Sequence, residues 1–252
     1  MQIIQFASSV EIILRRLYTR YIKKPESHSY VAMFHDVATE AVDKEGMSFS
    51  VTKYQFEKYL QGSKKNGKQF VDDVCSFPKM GRDGILLTFD DGLKSVEDVV
   101  LPICRELGIP FTVFVVTGYV EKEGYLSWKS LMNVAKDPLV TIGSHSVSHP
   151  MFRELSVEKK EEELKDSKKA LEDRLEIEIN DFAFPYGSLQ AVDRESCKMA
   201  SKIYRRIYVT RPTVFSEHLF LKRGHNYEIP RIDMSHYLKG GQFDVSCADA
   251  SY

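Results

Sequence analysis

Ile85-Leu86-Leu87-Thr88-Phe89-Asp90-Asp91-Gly92 is an apolar run that stops at two adjacent carboxylates and a glycine. A run of this kind suits a strand buried on both faces, so it reads as a core strand that delivers charge at its carboxyl end. Adjacent aspartates at the mouth of a buried strand repel each other, and a cation, an arginine or a shared proton must offset that repulsion. A divalent metal is the natural candidate. Asp-Gly between apolar runs is also a hairpin signal, and the run alone leaves the two readings level. The balance tips at a second apolar run, Leu139-Val140-Thr141-Ile142, which leads into Gly143-Ser144-His145-Ser146-Val147-Ser148-His149-Pro150. Imidazoles at this spacing can face one way on a helical turn. With a carboxylate they form a three-ligand set that keeps a position open for water, as catalytic rather than structural zinc does.

The same design recurs along the chain. Tyr30-Val31-Ala32-Met33-Phe34 ends in His35-Asp36, and Asp181-Phe182-Ala183-Phe184 ends in Pro185-Tyr186-Gly187; Phe111 to Val116 and Ile207 to Thr210 are further strand-like runs. Helical segments alternate with them. Thr52-Lys53-Tyr54-Gln55 has the spacing of a capping box and opens a helix carrying Phe56, Tyr59 and Leu60. Ser95 to Leu107 reads as a helix that Pro102 kinks or divides. Ser127 caps a short helix to Val134, Ser156 begins a long charged one to Leu175, and Leu189 to Ile203 is the last. The Lys and Glu runs of the long helix read as a solvated outer face. Strand and helix in alternation predict a parallel sheet, and the best architecture is a distorted or incomplete (β/α) barrel. In a barrel the carboxyl ends of all strands share one face, so Asp90, Asp91, His145, Tyr186, Arg231 and His35 are expected to converge there.

At 252 residues the chain is long enough for one such catalytic domain. A net charge of -1 supplies no basic field to recruit nucleic acid. Cys75, Cys104, Cys197 and Cys247 are scattered without a C-x-x-C pair, which points to reduced structural thiols. No run is long enough to span a membrane, and the start lacks the basic region and clean apolar core of a signal peptide, so a cytoplasmic location is expected. Residues 1–25 carry a basic amphipathic helix, from about Ala7 to Lys24. Such a helix either makes peripheral contact with an anionic membrane or packs on the outside of the domain, and the second needs fewer assumptions. Residues 240–252 read as a loose tail.

Thr88-Phe89-Asp90-Asp91-Gly92 followed by His145-Ser146-Val147-Ser148-His149-Pro150 resembles the first two motifs of the polysaccharide deacetylases, the NodB-homology carbohydrate esterases. Leu126-Ser127-Trp128, Phe184-Pro185-Tyr186-Gly187 and Pro230-Arg231-Ile232-Asp233 fit the same family in a compatible order. The resemblance spans Tyr30 to Met234. It implies that Asp91, His145 and His149 bind one divalent metal, zinc first and cobalt, nickel, manganese or iron as alternatives. It also implies that Asp90 is the general base and that the backbone N–H of Tyr186 donates to the developing oxyanion.

Two departures from the family pattern matter. No L-x-H motif stands near the carboxyl end; the nearest match is Met33-Phe34-His35, which resembles the circularly permuted branch related to poly-N-acetylglucosamine deacetylases and implies His35 as general acid. His225 and His236 are its rivals. Ala183 stands where many relatives carry the arginine that orients the catalytic aspartate, so Arg231 is the expected substitute, with Asp233 orienting His35. Trp128 is either a sugar platform or a core residue. The expected function is metal-dependent N-deacetylation of a sugar in a surface polysaccharide or its lipid- or nucleotide-linked precursor. Hydrolysis of cyclic amides and non-catalytic glycan binding are the alternatives.

Overall fold

The computed structural model describes residues 29–39, 49–79, 83–211 and 228–239. The strands in chain order are β1 (Tyr30–Phe34), β2 (Asp36–Ala38), β3 (Ser50–Thr52), β4 (Gln69–Phe70), β5 (Gly84–Phe89), β6 (Phe111–Val115), β7 (Val140–Ser144), β8 (Asp181–Ala183), β9 (Arg206–Thr210) and β10 (Glu228–Asp233). The helices are α1 (Lys53–Lys65), α2 (Leu101–Leu107), α3 (Trp128–Ala135), α4 (Val157–Leu175), α5 (Arg194–Ala200) and α6 (Met234–Lys239). β5 to β10 pair in sequence, and β1 bridges β10 and β5, so seven parallel strands close a barrel. β4 pairs with the start of β5 beside this ring, and β2 with β3 forms a separate parallel pair. The expected distorted (β/α) barrel is thus a closed one, built with fewer strands than the usual eight.

Strand alternation sorts the side chains into two layers. Val31, Leu86, Phe114, Ala183, Tyr208 and Ile229, from six different ring strands, cluster together and fill the barrel. Ala32, Ile85, Leu87, Val113 and Ile207 belong instead to the larger core shared with the helices. The same parity that turns Leu86 inward turns Thr88 and Asp90 inward, and Val31 and Ile229 do this for His35, Arg231 and Asp233. The amino-terminal floor is closed by Arg206. Its guanidinium donates to both Asp181 oxygens at 2.5 and 2.6 Å and to Asp73 at 2.6 Å, while the Tyr208 hydroxyl also donates to Asp181.

Local chemistry explains the helix boundaries. Thr52 and Gln55 exchange both bonds of the capping box at the start of α1. Pro102 sits in the first turn of α2, where its missing N–H costs nothing, after a π-helical turn over Val96–Val100. The last predicted helix is shorter than its apolar pattern. Asp193 accepts the N–H of Ser196 at 2.7 Å and starts α5 there, leaving 185–193 as a loop. Pro230 and Arg231 lie within β10 itself, a strand that the sequence pattern did not mark. No helix among the described residues is long and apolar enough to cross a membrane, and the predicted amphipathic helix, His225 and the tail lie outside them.

Candidate metal centre

The carboxyl end of β5 is where the charge arrives. Asp90 donates its N–H to Phe34 O at 2.9 Å, and Phe34 pairs with Phe89, so the end of β1 lies directly beside the two aspartates. Asp90 is buried, and Arg231, fully buried on β10, donates to its two oxygens at 2.6 and 2.7 Å. Arg231 also donates to Thr88 Oγ1 at 3.4 Å and lies over the Phe114 ring. Burial alone would push the Asp90 carboxyl up. Arg231, His145 and His35 outweigh it and pull the group down to about 2.

Asp91 is in a different situation. Its backbone is left-handed, φ 72°, and its Oδ1 is buried with no hydrogen-bond partner among the described residues. That oxygen lies 3.7 Å from His145 Nε2 and 3.5 Å from His149 Nε2. His145 is buried at the end of β7, and its Nδ1 lies 2.7 Å from Ala183 O. A carbonyl can only accept, so Nδ1 carries the hydrogen and Nε2 presents a lone pair. Burial first, against the pull of Asp90 and Asp91, lowers the His145 imidazole to about 4, so it is neutral at ordinary pH. The donor atoms of Asp91, His145 and His149 all lie within 4.8 Å of one another. A tetrahedral ion with bonds of about 2.1 Å holds its ligand atoms roughly 3.4 Å apart, so the orphaned oxygen and the bare nitrogens fit a divalent ion with little movement.

The histidine spacing does not work through a helical turn. Residues 145–149 form a loop in which Ser146 and His149 both have positive φ, 70° and 60°, and Ser146 Oγ accepts the His149 N–H at 3.1 Å. Of the six positive-φ non-glycine residues among those described, four (Asp91, Ser146, His149 and Tyr186) ring this centre, which is where backbone strain tends to be retained for function. Gly187 beside it also has positive φ, 59°, and a Cβ there would lie 2.3 Å from Thr210 N, so only glycine allows the approach. The Tyr186 ring is half exposed, 4.8 Å from the His149 ring, and Tyr119 stacks on His149 at 6.3 Å with Tyr125 beside it.

The other predicted residues are placed as follows. His35 Nδ1 is buried without a hydrogen-bond partner among the described residues, and its ring lies 5.0 Å from Phe49. Asp233 pairs in register with Met33, and its Oδ1 accepts from the N–H and hydroxyl of Ser235 at the start of α6. His236 is carried on that helix. Trp128, partly buried, packs against the main core with Arg174 over its ring at 5.3 Å. Sequence reading missed Tyr119, Tyr125 and the loop-binding Glu163. Glu163 was hidden because its charged run on α4 looks like solvated surface.

Replacing Arg231 with glutamine leaves a buried carboxylate without its cation. We expect a loss of about 3–5 kcal/mol in denaturant unfolding. In the native protein the Asp90 pKa is held below its ordinary 3.8, so its stabilisation is present above that value and fades as pH falls toward 2. In Arg231→Gln the burial effect loses its main opponent, and the acid limb of activity moves to higher pH.

A family model described as Polysaccharide deacetylase matches residues 78–205, about half the chain, including Asp90, Asp91, His145, His149 and Tyr186. His35, Arg231 and Asp233 fall outside that match. The Bacillus subtilis (strain 168) protein YxkH, whose name assigns it to the polysaccharide deacetylases, is 22% identical over 84% of this chain and 74% of its own length. The poly-beta-1,6-N-acetyl-D-glucosamine N-deacetylase of Staphylococcus aureus (strain MSSA476) is 26% identical over 41% of this chain and 39% of its own. Among solved structures, the Streptococcus pyogenes deacetylase PplD in complex with acetate superposes with a TM-score of 0.69 at 21% identity, covering 81% of this chain and 91% of that one. IcaB from Ammonifex degensii superposes at 0.62 and 21%, covering 71% and 82%. At these identities the two structures bear on the fold.

Proposed function

Because the chain belongs to the polysaccharide deacetylase family, we propose that it is a metal-dependent hydrolase removing N-acetyl groups from an N-acetylated sugar of a surface polysaccharide or its precursor. The observation that carries this reading is the contrast between two neighbouring aspartates. Arg231 holds both oxygens of Asp90, whereas Asp91 Oδ1 is buried, without a hydrogen-bond partner among the described residues, and faced by the Nε2 atoms of His145 and His149.

In this reading Asp91, His145 and His149 hold the ion, zinc being the first choice for two imidazoles and a carboxylate. Such an ion supplies a Lewis acid and an acidified water. Asp90, ionised and fixed by Arg231, takes a proton from the water that attacks the acetyl carbon. The backbone N–H of Tyr186 donates to the carbonyl oxygen as it gains charge. His35, beside Asp90 on the inner face, gives its proton to the nitrogen as the C–N bond breaks, because an amine anion is too basic to leave. Asp233, next to Met33 in register, is the carboxylate available to orient His35, whose Nδ1 has no hydrogen-bond partner among the described residues. Acetate and a free amino-sugar result.

The name of the Staphylococcus aureus relative makes β-1,6-linked N-acetylglucosamine oligomers the first substrate to try. Amine and acetate release from these oligomers is measured beside release from hydantoin-type cyclic amides. Equimolar acetate and amine from the sugar, lost with chelator, is the expected result. Turnover of the cyclic amides alone contradicts the sugar reading, and glycan binding without turnover that survives metal removal contradicts an enzymatic one.

A further inference from the structure

The loop between the two histidines is gripped from both sides. On one side the N–H groups of Thr117 and Gly118 donate to Ser146 O at 3.1 Å and Val147 O at 2.9 Å. The approach is so close that a Cβ on Gly118 would lie 2.5 Å from Val147 O. On the other side stands Glu163, on the second turn of α4. Its Oε2 accepts the N–H of Val147 at 2.8 Å and of Ser148 at 2.9 Å, and its Oε1 accepts the Ser148 hydroxyl at 2.5 Å.

We propose that Glu163 is a positioning residue for the metal centre: its carboxylate holds the strained 145–149 loop so that His149 Nε2 faces Asp91 Oδ1. The inference rests on the metal-binding reading given above. Ser146 and His149 both sit at positive φ, a conformation that is unfavourable for residues with a side chain. Charge-assisted bonds to backbone N–H groups are among the stronger hydrogen bonds available, and here they bear on the segment between those two residues. The support itself is anchored. Ser156 caps α4, and Lys160, one turn before Glu163, is buried and donates to Asp193 and Glu195 at 2.9 Å each, tying α4 to the start of α5. Glu163 therefore carries a fixed helix, rather than a mobile side chain, up to the ligand loop. Neighbouring Glu161 and Glu162 pair with exposed lysines on the same helix and do none of this.

The test is metal affinity, measured without any sugar. Metal-stripped wild type, Glu163→Gln and Glu162→Gln are titrated with Zn²⁺ against a chromophoric chelator, and Co²⁺ spectra report the ligand geometry. Glu163→Gln should bind about 10–100-fold more weakly, the usual cost of losing an outer-shell support, with an altered Co²⁺ spectrum. Glu162→Gln, the same charge change one residue away, should match wild type. A purely structural staple would instead lower the melting temperature of the metal-free protein and leave the dissociation constant alone. Wild-type affinity in folded Glu163→Gln overturns the proposal. Should that variant not fold, Ser148→Ala removes one of the three donors: weakened affinity supports the proposal and unchanged affinity overturns it. Normal metal binding with no deacetylation refutes the proposed function and leaves this inference standing; a wild type that takes up no ion removes both.

Discussion

His145→Ala is expected to yield a folded protein that retains no stoichiometric divalent ion and releases no acetate from N-acetylated sugar. The loss should exceed the 10–100-fold that removal of an outer-shell partner costs, because a donor atom itself is gone. His145 is the ligand whose orientation is most completely determined, with Ala183 O fixing its tautomer and burial keeping it neutral. A His145 pKa lowered to about 4 means that proton competition for this ligand begins only in acid, so ion binding should persist through neutral pH and fail as pH falls toward that value. His149→Ala, at a less buried position, repeats the test with less disturbance of the core. Atomic absorption on dialysed protein, with circular dichroism as the folding control, reads the outcome.

His35→Gln is the second large effect. A general acid must be protonated in the free enzyme while Asp90 is ionised, so kcat/KM on an amide substrate should be bell-shaped in pH. In the variant kcat should fall by about 10²–10⁴ with metal content unchanged. An acetate ester with a weakly basic leaving group needs no proton to depart, so the variant should keep far more activity on the ester than on the amide. Equal losses on both would assign His35 to binding or structure. Loss confined to His225 or His236 variants would move the acid to the carboxyl-terminal segment.

Much of this centre can be read from residue order because barrel topology does the gathering: any residue just past a strand's carboxyl end arrives on one face. That logic located Asp90, Asp91, His145 and His35 without coordinates, and the Thr52 capping box needed only local spacing. Arg231 partners Asp90 as expected, but it lies inside β10 rather than after it, made tolerable by that carboxylate. Pattern fails where tertiary contact overrides it. The histidine pair reads as a helical turn by spacing, yet strand β7 ends at Ser144 and positive φ at Ser146 and His149 takes the chain another way. Glu163 and the Arg206 floor pair depend on partners far away in sequence, and no local signal marks either.

The division of labour between the two aspartates is open to one direct measurement, the metal content of folded Asp90→Asn and Asp91→Asn proteins purified side by side. Asp90→Asn should hold one ion per chain at close to wild-type affinity while deacetylation is lost, since Arg231 occupies both Asp90 oxygens, Oδ2 included, even though that oxygen lies 3.7 Å from His145 Nε2. Asp91→Asn should lose the ion. An empty Asp90→Asn site beside a loaded Asp91→Asn one would contradict the assignment and exchange the roles of the two carboxylates.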